Sequence, residues 1–253
     1  MNFDFQEHRV HDYSFLIKRW KSLARKCGLR GEVFATGDDF DLMCFRSPAL
    51  KKKKTSGIYL SAGIHGDEPA IPESLYQWAA LHGPVLRELP LMILPCLNPW
   101  GLVHNRRTDS QNFDLNRCYH LSDVPRIQAQ KELLRGYTFR LAMCLHEDYD
   151  AQGVYLYEQR KKLTTFGQEL LSAGGYHIPL DPRRMIEGRR AKQGWITRRV
   201  DRKKFPEAAE AIYVALHHSE RTITAETPSE YDLGKRIEAQ IAMIKRAIEL
   251  SFV

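Results

Sequence analysis

At 253 residues, 43% of them hydrophobic and 27% charged, the chain is long and apolar enough to bury a sizeable core, which speaks against a disordered protein. The opening stretch MNFDFQEHRVHDYSF carries acidic residues and no apolar leader segment. No run approaches the ~18 apolar residues of a membrane span, so a cytoplasmic protein with no membrane partner is expected.

Phe15, Leu16, Trp20, Leu23 and Cys27 recur at helical spacing and predict a surface helix over Tyr13 to Cys27 with one buried stripe. EVFATGDDFDLMCFRS reads as two short strands about a Gly-Asp-Asp turn, and the four lysines Lys51 to Lys54 as a solvated loop. GIYLSAG, Gly57 to Gly63, is nearly continuous in apolar residues, the pattern of a strand covered on both faces. A helix over Pro69 to His82 and a second interior strand in PLMILPCL, Pro90 to Leu97, follow. Beyond a long loop, a helix spans Val124 to Tyr137, and TFRLAMCL is a third buried strand running into His146. GVYLYE predicts a fourth strand and Thr222 to Thr227 a short fifth. Leu233, Ile237, Ile241, Ile244 and Ile248 form the stripe of a closing helix. Strands alternating with helices give an α/β sheet with helices on both faces. No repeat or Pro/Ser-rich linker divides the chain, so one domain over 1–253 is expected.

Five scattered cysteines without C-x-x-C spacing read as reduced, buried thiols. The formal net charge of +7 allows an anionic partner, but it is concentrated in Lys51 to Lys54 and in the stretch Arg183 to Lys204. No zinc finger, RNP-type aromatic motif or basic groove-reading helix accompanies it, which leaves nucleic acid a minor alternative. The stretch Arg183 to Lys204 reads first as a solvated loop. Facing a cleft, it would favour substrates with an extra acidic group.

In α/β sheets functional groups gather outside the carboxyl ends of the strands. Three polar clusters here each follow a buried strand: His65 with Glu68, then NPWGLVHNRRTDSQNFDLNR, then HED at His146. Two imidazoles and a carboxylate are the donor set of a zinc site that leaves one position for water, and His65, Glu68 and His146 fill it. A lone His-x-x-Glu is more often a polar turn between strand and helix, and it is the joint pattern that points to a metal.

HGDE after an apolar strand, then NPWG, RTDSQNFDLNR, a strand-borne histidine and TAETPS together resemble the zinc metallocarboxypeptidases of the carboxypeptidase A type. Within them, the short chain and the DLNR and ETP forms look closest to the small bacterial peptidases and the succinylglutamate desuccinylase/aspartoacylase branch. The resemblance implies a twisted, mixed, mostly parallel central sheet and one zinc ion held by His65, Glu68 and His146. It implies Glu226 as general base, Arg107 as the cation facing the oxyanion, and Asn116 with Arg117 as the clamp on a free substrate carboxylate. The implied substrate is a small peptide, or alternatively an N-acyl amino acid. An inactive binding scaffold is a further alternative. Each residue keeps a plainer reading: Glu226 capping a turn, Arg106 standing in for Arg107, Arg117 bracing its loop through Asp114. His104, His120, His177, His217 and His218 read as ordinary polar or core histidines. The family's substrate-binding tyrosine has four candidates, Tyr149, Tyr155, Tyr157 and Tyr213.

Overall fold

The computed structural model describes residues 9–160, 165–199 and 208–252. Helix α1 (Tyr13–Cys27) begins where the Asp12 carboxylate accepts from Phe15 N at 2.8 Å and ends at Gly28, whose φ of 68° suits glycine. Strands β1 (Arg30–Gly37) and β2 (Phe40–Arg46) form an antiparallel hairpin. Its two turn residues, Asp38 and Asp39, both have positive φ, which matches the twist of the strands they join. Lys51 to Lys54 are exposed in a turn, as expected.

There follow β3 (Ser56–Ser61), α2 (Ala70–Leu81), β4 (Leu91–Leu94), the short α3 (Pro99–His104), α4 (Pro125–Leu134), β5 (Thr138–Asp148), β6 (Tyr155–Arg160) and α5 (Phe166–Gly174). The chain then forms β7 (Met185–Ile186), β8 (Arg189–Arg190), β9 (Trp195–Arg198), α6 (Glu210–His217), β10 (Arg221–Pro228) and α7 (Leu233–Leu250).

Eight strands make one sheet in the order β1-β2-β4-β3-β5-β10-β6-β9. Its centre, β4, β3, β5 and β10, is parallel; β2 joins β4 antiparallel, β6 joins β10 antiparallel, and β9 runs parallel to β6. The expected mixed, mostly parallel α/β architecture is present. Among the described residues no helix is long and apolar enough to cross a membrane.

Strand parity separates two cores. Ile58, Leu60, Ile93, Met143, Leu145, Ile223 and Ala225 point to the face covered by α1, α2, α5 and α7. Tyr59, Met92, Leu94, Ala142 and Cys144 point to the face covered by α4 and α6. Because His146 and Glu226 share parity with the second set, both emerge on the α6 face where helix cover ends. Glu147 falls on the opposite face, against α7.

Elements absent from the sequence expectations are α3, α5, α6 and the β7 to β9 region. The last overlaps the basic stretch expected as a solvated loop, so that expectation holds only in part; residues 200–204 of it lie outside the described residues.

Candidate metal centre and substrate cavity

β3, β5 and β10 are parallel, so their carboxyl ends stand side by side and deliver three polar segments to one place. The first is the turn after β3. It fits because Gly66 has no side chain: a Cβ there would lie 1.9 Å from the Gly101 carbonyl carbon and 2.3 Å from Leu102 N. Backbone cannot yield as a flexible side chain can, so Gly66→Ala should cost about 2–4 kcal/mol in a denaturant titration of metal-free protein. An unchanged midpoint would mean that the turn relaxes freely.

The second segment follows β4. Asn98 is buried and caps α3, accepting from Gly101 N at 3.0 Å, while its amide donates to Thr108 O at 3.0 Å. One side chain thus starts the helix and tethers the returning loop that carries Arg107. The third is β5, with His146 paired in register to Glu226 on β10.

His65, Glu68 and His146 converge. His65 Nδ1 lies 2.5 Å from Glu68 Oε1, and His146 Nδ1 lies 3.0 Å from Glu68 Oε2. One ligand-type atom from each lies within 4.8 Å of the others, and all three residues are buried. Burial alone would raise the Glu68 carboxyl, but the two histidines beside it hold it below the usual range. Burial would likewise lower His65, and Glu68 and Asp114 reverse that and raise it.

Asp114 is the residue whose role the sequence reading missed. It was considered only as a partner for Arg117. Its Oδ1 instead faces His65 Nε2 at 3.2 Å and its Oδ2 accepts from Arg107 Nε at 3.0 Å. Burial opposes its ionisation, yet the hydrogen bond from His65 and the charges of His65, Arg107 and Arg117 hold it well below the usual carboxylate range. A carboxylate on the outer nitrogen fixes which imidazole nitrogen faces the cluster. Its only sequence signal was its place before Leu115-Asn116-Arg117.

Glu226 is buried inside β10 and does not cap a turn; its Oε2 has no hydrogen-bond partner among the described residues. Burial pushes its carboxyl well above the usual value, against the pull of His146. Arg107 lines the cavity, with Nη1 3.9 Å from Glu68 Oε1, whereas Arg106 is not among the lining residues. Asn116 accepts from Glu210 N at 2.9 Å, which ties the start of α6 to the cavity wall. Arg117 is exposed, with Nη1 donating to Asn116 O at 3.0 Å.

Glu147 is buried between Ala70 N, 3.0 Å away, and Arg236, 2.5 Å away. Burial raises it to about 7 although Arg236 opposes this. It braces α2 and α7. Of the four candidate tyrosines, Tyr155 and Tyr157 line the cavity, Tyr149 is 75% exposed, and Tyr213 packs at a tilt against Tyr119 and His217.

The cavity has a volume of about 350 Å³ and holds all seven residues expected for the site: His65, Glu68, Arg107, Asn116, Arg117, His146 and Glu226. Two imidazoles and one carboxylate, buried and mutually in reach, fit a zinc ion that keeps a position open.

Residues 54–150 match the family model of the succinylglutamate desuccinylase/aspartoacylase catalytic domain. Carboxypeptidase 2 of Trichophyton rubrum is 29% identical over 111 residues, 40% of this chain. The match covers 20% of that protein, so the chain accounts for about a fifth of such curated relatives. A solved Shewanella amazonensis SB2B protein, proposed as a metallopeptidase, is similar with a TM-score of 0.86 and 19% identity, over 99% of this chain and 97% of that one. Carboxypeptidase A of Helicoverpa armigera is similar with a TM-score of 0.69 and 13% identity, over 96% of this chain and 74% of the other. At such identities the structural likeness carries the fold. The family match covers the segment that carries His65, Glu68 and His146, and the solved structures share the fold.

Proposed function

We propose that the chain, as one catalytic domain, is a zinc-dependent carboxypeptidase-type hydrolase cleaving an amide bond next to a free carboxylate. The observation carrying this reading is the convergence of His65, Glu68 and His146 beside the buried Glu226 carboxylate, whose Oε2 has no partner among the described residues, in a cavity that also holds Arg107, Asn116 and Arg117. Zinc held by the three residues would supply Lewis-acid activation of water at neutral pH. Glu226 accepts the attacking water's proton and passes it to the leaving amine. Arg107, steered by Asp114, meets the negative charge that develops on the scissile carbonyl oxygen. The side chains of Asn116 and Arg117 receive the substrate's free carboxylate, for which a guanidinium offers paired donors. Five buried free cysteines are in keeping with a cytoplasmic setting.

Zinc-loaded protein should therefore hydrolyse members of a panel of free-acid peptides and N-acyl amino acids, and the bond broken separates the peptidase from the deacylase. The same panel tests the clamp. Because Arg117 is exposed, capping the carboxylate as an amide should lower kcat/KM by about 10- to 100-fold. Arg117→Ala should lose that discrimination, while Arg107→Ala should slow free and capped substrates alike. Equal hydrolysis of both forms by the wild type would reduce Arg117 to a loop brace.

A further inference from the structure

Helix α6 takes its cap from a distant segment. Ala209 stands at the N-cap position and offers no side-chain acceptor, and the Glu210 backbone N–H donates instead to Asn116 Oδ1 at 2.9 Å. A second bond, from Tyr119 N to Ala208 O at 3.0 Å, joins the same two segments. A backbone N–H can only donate, so the end of the Asn116 amide that faces it is the oxygen. The Nδ2 hydrogens are then the end left for a ligand in the cavity that Asn116 lines.

The Glu210 side chain is buried, and its Oε1 accepts from the Tyr59 hydroxyl at 2.5 Å and from Gln130 Nε2 at 3.0 Å. Gln130 Nε2 also reaches the Tyr59 oxygen at 2.8 Å, while Gln130 Oε1 accepts from the Tyr119 hydroxyl at 2.5 Å, which fixes that amide's orientation. Burial, with Glu210 beside it, pushes the Tyr59 hydroxyl well above its usual value, so it stays protonated and donates. Tyr59 comes from β3, Tyr119 from the loop after Arg117, Gln130 from α4 and Glu210 from α6, and all four are buried away from the residues that line the cavity. A buried polar network is rigid when its members satisfy one another, and this one anchors the start of α6 to the sheet.

We propose that Glu210 is a positioning residue for the carboxylate clamp: its N–H orients the Asn116 amide so that Nδ2 donates to the substrate's free carboxylate, and its side chain, held by Tyr59 and Gln130, keeps that N–H in place. The inference rests on the carboxypeptidase-type reading and adds to it a residue that does not touch substrate.

Proline separates the two links. Glu210 is the first residue of α6, where a missing N–H is tolerated, and Ala209 is already extended with ψ 148°, as a residue before proline prefers. Glu210→Pro thus removes side chain and N–H together, and Glu210→Ala the side chain alone. The readout is kcat/KM for a free-acid peptide divided by that for its C-terminal amide, on zinc-loaded protein. Glu210→Pro should lower this ratio by roughly tenfold, the scale of one hydrogen bond to a charged group, through a raised KM for the free acid and not through kcat. Glu210→Ala should lower it less. A ratio lower in Glu210→Pro than in Glu210→Ala sustains the proposal; equal ratios in the two overturn it, since a residue kept only for packing would not act through its N–H. Should either variant fail to fold, Tyr59→Phe takes their place, trimming one hydroxyl remote from substrate: a lowered ratio sustains the proposal and an unchanged one overturns it. A wild type that hydrolyses acid and amide equally removes the clamp and this proposal, and leaves the hydrolase reading standing. With no turnover at all the hydrolase reading fails, and calorimetric binding of L-leucine against L-leucinamide to the same proteins decides the proposal by the same comparisons.

Discussion

Zinc-reconstituted protein should carry one ion per chain, and His65→Ala/His146→Ala should carry none. The expectation rests on the buried donor set: removing both imidazoles leaves Glu68 as the one remaining member of the cluster. A single carboxylate holds a divalent ion far more weakly than two imidazoles and a carboxylate together. Zinc at a thousandfold excess over its dissociation constant stabilises the native state by about 4 kcal/mol. Its addition should therefore raise the melting temperature of the wild type and leave the double variant unmoved. Asp114→Ala makes the finer comparison, because it keeps all three donors and removes the acceptor facing His65 Nε2. Its zinc affinity should fall by roughly 10- to 100-fold, well short of the double variant's loss. Elemental analysis showing a full complement of zinc in the double variant would place the metal elsewhere.

The same donors show what can be read from a sequence. Helix α1 was legible to both ends because its apolar stripe recurs from Phe15 to Cys27, and the Asp12 cap and the left-handed Gly28 bound it where that stripe ends. β3, β4 and β5 were legible because strands covered on both faces are continuous in apolar residues. Residues at the carboxyl ends of such strands inherit their position from them, so His65, Glu68 and His146 could be grouped before any coordinates.

Periodicity needs a window, and α3 with six residues or α6 with eight offers too few turns to register. The β7 to β9 region was hidden for a different reason. Its arginines looked like a solvated run, and only the pairing of β9 onto β6 brings Arg198 into the cavity. Asp114 was misjudged because local spacing pairs it with Arg117, whereas the fold of the loop turns it to Arg107 and His65. Contacts between segments far apart in sequence leave no local trace.

Glu226→Gln should keep the zinc and lose turnover by roughly 100- to 10,000-fold, the range for removing a general base. The amide matches the carboxylate in shape but has no comparable proton affinity, so binding and packing persist while proton transfer stops. The buried position gives a second readout of opposite sign. A carboxylate enclosed away from water, with one oxygen unpaired, disfavours the folded state when charged. Replacing it with a neutral amide should leave the melting temperature of metal-free protein unchanged or higher. A residue kept for packing would behave otherwise, losing stability on substitution and sparing the rate. Lower stability with intact turnover in Glu226→Gln would thus remove this carboxylate from the mechanism, whereas lost turnover at equal or higher stability is the signature of a group held in place for its chemistry at a cost to the fold.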